Sequence, residues 1–141
     1  MANVIYNSFK RDIQNGSIDL DTDDIKVMLV TSVYVPDIDA HTKASDITNE
    51  VVGTGYTAGG VSLATKAVTA DNTNDLGKFD ADDVTWATST ITARGAVIYK
   101  SRGGASSADE LVAYLDFVSD KVSTAGNFNL IFNANGILTL T

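Results

Sequence analysis

The stretch VVGTGYTAGG, Val51 to Gly60, admits two readings that lead to different folds. Gly53 to Ala58 satisfies G-x-G-x-x-G/A, the fingerprint of a dinucleotide loop in an α/β sheet. That loop needs a strand before it and a helix after it, so that a pyrophosphate meets the helix N–H groups. Here SDITNE, mostly polar and not strand-like, precedes Val51, and the β-like VSLA follows Gly60. The acidic residue required about 20 positions further on would be Asp75, inside the turn-like DNTND. The context fails, and with it the α/β fold. The glycines are read as backbone residues that end a long loop and turn the chain back into a sheet at Val61. Tyr56 among them is either a contact residue or a cap on the core.

Outward from this loop the pattern is β. Ile25–Ser32 (IKVMLVTS) is apolar on both faces, as in a central strand. GVSLA, GKFD and VTW read as short strands, the last two flanking the acidic DADD turn. In ARGAVIYK, Val97 and Tyr99 share one face, and Ala96 and Ile98 the other. LVAYLDF sets Leu111, Ala113, Leu115 and Phe117 against Val112, Tyr114 and Asp116; NFNLIFN places Phe128, Leu130 and Phe132 inward. Asn135-Gly136 predicts a type I′ hairpin pairing 128–133 with 137–141. Before all of these, Ile5, Phe9 and Ile13 form one stripe of a helix over about 4–15, with Asn3 as N-cap and Gly16 as C-cap. The expectation is one domain, 1–141: a mainly β, antiparallel β-sandwich or jelly-roll-like body from about 24 to 141, a short N-terminal α-helix, and a long irregular loop over about 33–60.

Composition narrows the function. The chain has 141 residues, enough for one buried core, and 44% of them are hydrophobic. No apolar run approaches the roughly 18 residues of a membrane span, and the first residues lack the apolar region of a signal peptide. With no cysteine, disulfides, zinc-thiolate sites and thiol nucleophiles are excluded. Ten basic against eighteen acidic residues leave a net charge of −8, which repels phosphate backbones and anionic lipid. Neither nucleic acid nor membrane is expected as a partner.

No catalytic, cofactor or metal residue is assigned. Asp19, Asp21 and Asp23 begin like an EF-hand loop, but Asp24 stands where the turn glycine belongs and Val30 where the closing glutamate belongs. These acids, and Asp80, Asp82 and Asp83, read as turn residues that bond their own backbone, with a looser oxygen-ligand calcium site at either cluster as the alternative. His41 is the single histidine, and no G-x-S-x-G nucleophile accompanies it. Trp86, Tyr99, Tyr114, Phe117, Phe128 and Phe132 fall at core positions. The long loop instead gathers the only proline, the histidine and several apolar residues. It is read as an ordered contact arm with Tyr34, Val35, Pro36, Ile38, His41 and Tyr56 as interface candidates.

The stretches YNSFKRDIQNGSIDLDTDDIKVMLVTS, YVPDIDAHTKASDITNEVVGTGYTAGG, FDADDVTWATSTITARGAVIYK and NGILTLT, in this order, span nearly the whole chain. Through them it resembles a family of small tailed-bacteriophage virion structural proteins. The resemblance implies a virion component without catalytic residues, made in the host cytoplasm and bound as a head decoration (cement) protein on the capsid surface. Its implied partners are the major capsid protein and copies of itself, as a trimer before a dimer. The alternative is a tail- or fibre-associated protein that binds carbohydrate or receptor.

Overall fold

The computed structural model describes residues 2–141. In chain order the elements are β1 (Val4–Ile5), α1 (Asn7–Gln14), β2 (Ile25–Val30), β3 (Val61–Ser62), β4 (Ala67–Asp71), β5 (Leu76–Asp80), β6 (Val84–Lys100), β7 (Leu111–Leu130) and β8 (Leu138–Leu140). They form two antiparallel sheets: five strands in the order β1-β7-β6-β2-β3, and three in the order β4-β5-β8. The result is the mainly β, sandwich-like body with one short helix that the sequence pattern calls for.

Alternation along β2 and β6 builds a core on each face of the larger sheet. Ile25, Val27, Leu29, Ala96 and Ile98 point to one side, where Phe9 of α1, Ile18, Leu20 and Phe79 of β5 meet them. Half-buried Leu138 of β8 packs on the same cluster, so the small sheet and the helix together close this face. Met28, Val30, Val97 and Tyr99 point to the other side and form a second core with Tyr6, Tyr34, Ala44, Leu111 and Tyr114. The pairing Ile98↔Ala113 is followed by Tyr99↔Leu111, so Val112 is extra in its strand. This bulge puts Leu111 in the second core while Ala113 and Val112 enter the first, which overturns the single alternating face expected for 111–117.

The helix is shorter than the stripe. Ile5 lies on β1, paired with Ala113, and Tyr6 with extended backbone is the N-cap. Asn3 does not cap: its side-chain oxygen accepts the Asp116 N–H at 2.7 Å. The helix closes on Asn15, and Gly16 follows at φ 78°.

Three strand expectations change. VTW and ARGAVIYK belong to one strand of 17 residues, and LVAYLDF and NFNL to one of 20. These two form the long hairpin that is the spine of the fold, interrupted by register shifts between Trp86 and Ser89 and between Ala93 and Gly95. The Asn-Gly hairpin does not form. Gly136 N–H bonds the Asn133 carbonyl at 2.8 Å and Gly136 has φ 106°, but Asn135 is not at positive φ, so the turn is not type I′. After it, β8 pairs with β5 (Phe79↔Leu138, Gly77↔Leu140) instead of returning along β7. The turn hands the chain from the large sheet to the small one.

Candidate interaction surface

Residues 31–60 fold back onto the body instead of reaching away from it: Tyr34, Ala44 and Ile47 cover the second core, and Val51 and Tyr56 pack on the first. Both ends are stitched to the outer edge of β2. Thr31 N–H bonds the Asn49 carbonyl at 3.0 Å, Val51 N–H bonds Leu29 at 2.9 Å, and Val30 bridges Glu50. The middle is stitched to the start of β7. Ala44 N–H bonds Asp109 at 2.8 Å, Leu111 N–H bonds Thr42 at 3.2 Å, and Lys43 bridges Glu110.

Carboxylates shape the segment from within. Asp37 accepts the N–H groups of Asp39 and Ala40 in an Asx-type turn, and Asp46 reaches back to accept those of Thr42 and Lys43, as the third residue of a capping box does. Both are held below the usual carboxylate range by these backbone donors. Burial alone would raise Glu110. The Arg102 hydrogen bond at 2.6 Å and the charges of Arg102, Lys43 and Lys100 outweigh it and lower the group.

The six candidate residues divide into two sets. Tyr34, expected at an interface, is buried at 2% exposure. Its hydroxyl lies 2.8 Å from that of Tyr6 and 2.9 Å from His41 Nδ1, and its ring stacks on His41 and meets Tyr114 edge-on. His41 Nδ1 also accepts the Asp37 N–H at 3.1 Å. Tyr34 and His41 therefore pin the loop to the helix N-cap. Tyr56 is half-buried against the first core and 6.0 Å from Trp86. Its hydroxyl donates to Glu50 Oε1 at 2.6 Å and accepts the Leu29 N–H at 2.9 Å. Burial first, and then the bond to Glu50, raise its pKa. Tyr56 is a cap on the core and a strut for the loop.

Val35 is 63% exposed and Ile38 38%, with Pro36 half-buried between them. Val33 at 68% and Val52 at 97% were not singled out by the sequence reading. Alternation about the buried Tyr34 is the signal that finds Val33 and Val35 together. Exposed apolar side chains on a backbone tied down at this many points form a preorganised surface.

The glycines of VVGTGYTAGG serve close backbone approach. A Cβ on Gly60, which has φ 73°, would lie 1.7 Å from the Val27 carbonyl oxygen, and one on Gly53 would lie 2.3 Å from that of Thr90. Beneath the segment is a cavity of about 400 Å³ lined by Met28, Glu50, Gly59, Tyr99 and Asp109 among others. Tyr99 bonds Gly59 across it at 2.6 Å.

Asp19, Asp23 and Asp80 accept local backbone N–H groups, as turn residues do. Asp23 also pairs with Lys100 at 2.8 Å, and Asp82 and Asp83 depart from the turn reading, accepting from the distant Thr65 hydroxyl and Phe132 N–H and so tying separate segments together. Among the described residues, no three His, Cys, Asp or Glu side chains are grouped to hold a metal ion, and no helix is long and apolar enough to cross a membrane. Compared with protein-family models, curated proteins and solved structures, the chain finds no match.

Proposed function

We propose that this chain is a tailed-phage virion structural protein, a head decoration protein that binds the outside of the assembled capsid and stabilises it. The observation that carries the reading is the rigid loop layer with Val33, Val35 and Ile38 turned to solvent, because apolar groups fixed on a braced scaffold lose little conformational entropy on docking. The resemblance over most of the chain supplies the setting. The net charge of −8 supports it by keeping the protein off packaged nucleic acid. Binding the assembled lattice and not its free subunits stabilises the lattice by mass action. All five Tyr, all five Phe and Trp86 are buried or half-buried, so no exposed aromatic platform favours the carbohydrate-binding alternative.

The test uses heads from a phage lacking this gene. Purified protein should restore the resistance of the heads to heat and appear by electron microscopy at repeated lattice positions. Val33→Asp/Val35→Asp should stay folded and lose head binding by about tenfold or more, as expected when apolar anchors are charged. Density confined to the tail, or full binding by the double variant, would sink the proposal.

A further inference from the structure

We infer that β4 is a self-pairing edge, through which two copies of this chain join their three-stranded sheets into one of six strands. Sheet edges carry unpaired N–H and C=O groups, and folded proteins blunt them with charge, proline, bulges, brevity or cover. The edges at β1, β3, β7 and β8 follow that rule. β1 and β3 are two residues each and β8 is three. Beyond Tyr114, where β1 ends, β7 carries Asp116, Asp120 and Lys121, and its backbone bends at Val118 (φ 70°) and Ala125 (φ 46°).

Against these edges β4 is the exception. It is paired on one side only, by β5. Ala67, Val68, Thr69 and Ala70 are all exposed, and none is charged, proline or at positive φ.

The occupant that fits is a second β4. Val68 pairs with Phe79, and Phe79 with Leu138, so these three side chains form one row on the core-facing side of the small sheet. Val68 ends that row half exposed. A two-fold axis at Val68 sets it against its own copy, and the row continues as Leu138–Phe79–Val68–Val68–Phe79–Leu138 across both chains. Directly opposed β-branched pairs of this kind stabilise antiparallel sheets. The same register places Ala67 opposite Thr69, and Lys66 opposite Ala70 one residue from Asp71 of the other copy. The positive end of each strand thereby meets the negative end of its partner, while the segment is neutral overall in a chain of net charge −8. The symmetry is isologous and two-fold, in place of the trimer expected from the resemblance. The inference does not rest on the virion reading, and it is tested without capsids.

Sedimentation velocity of the full chain over a range up to about 100 µM, a scale suited to a small edge interface, should show a concentration-dependent dimer. Val68→Lys, at an exposed position, should keep the circular dichroism of the wild type and weaken dimerisation at least about tenfold. Val122→Lys, on the blunted edge, should not. In a chain without cysteine, Val68→Cys should form a covalent dimer on mild oxidation. A wild-type monomer or trimer over that range overturns the proposal, as does a Val68→Lys variant that dimerises like Val122→Lys. Absence of the Val68→Cys covalent dimer overturns the register.

Discussion

At the scale of single residues, two positions in VVGTGYTAGG carry separable physics. Gly60 combines a positive φ with a backbone contact that no rotamer change can relieve, since the atom its Cβ would strike is the Val27 carbonyl oxygen at 1.7 Å. Gly60→Ala should therefore cost about 3 kcal/mol or more, above the usual effect of a surface substitution. Thermal unfolding reads this as a fall of roughly 10 °C for a chain of this length. A near-neutral result would mean that the loop reaches β2 by another path. Tyr56 tests hydrogen bonding instead. Tyr56→Phe keeps the ring against the core and removes an oxygen that serves both Glu50 and the buried Leu29 N–H. Leaving that N–H unpaired should cost about 1–3 kcal/mol, measured by denaturant midpoint at unchanged slope. A loss under half that size would show that water replaces the hydroxyl.

At the scale of elements, the loop layer should separate from the sheet in acid. Asp37, Asp46 and Glu110 all have folded-state pKa values below their ordinary ones. A depressed carboxylate contributes stability that is fully present above its unfolded pKa, about 4, and is lost as pH falls through the lower folded value. The anchors are thus intact at neutral pH and released only below about pH 4. Backbone NMR shifts of Ala40, Thr42 and Lys43 should move before those of Val27 and Ile98 in the sheet; simultaneous movement would show that loop and sheet melt as one. Much of the element pattern was legible because a short apolar run on both faces marks β2 as a central strand, and period-two placement sorts the side chains of the inner part of β6. The joined length of β6 and β7 was not legible. Thr88, Val118 and Ala125 take positive φ inside these strands, and each such bend resets which face the next side chain meets. Local turn chemistry at Asn135-Gly136 marked a reversal but carries no information about which sheet receives the strand. At the candidate surface, the loop's apolar content was legible, but which of its members face inward depends on Tyr6, 28 positions before Tyr34, and on the sheet beneath. That is why the burial of Tyr34 and the exposure of Val33 were not legible.

At the scale of the whole molecule, eighteen acids against ten bases set a sign that no single contact shows. Uncompensated like charge opposes the compact state, whereas ion pairs such as Lys100–Asp23 and Arg102–Glu110 favour it. Salt weakens both, but not equally. Those two pairs are short, at 2.8 and 2.6 Å, and each has at least one partly or fully buried member, so they resist screening. Repulsion among exposed acids spread over the surface acts across distances near or beyond the Debye length, about 10 Å at 0.1 M, and is removed first. Raising sodium chloride from about 10 mM to about 0.5 M, which shortens that length severalfold, should therefore raise Tm by a few degrees at pH 7. A general salting effect would act equally at any pH, whereas relief of repulsion must shrink as the net charge does. At pH 5, closer to the sequence pI of about 4.3, the rise should be clearly smaller. A fall in Tm with salt at pH 7 would mean that the ion pairs outweigh the net charge, and an equal rise at both pH values would mean that charge is not the cause.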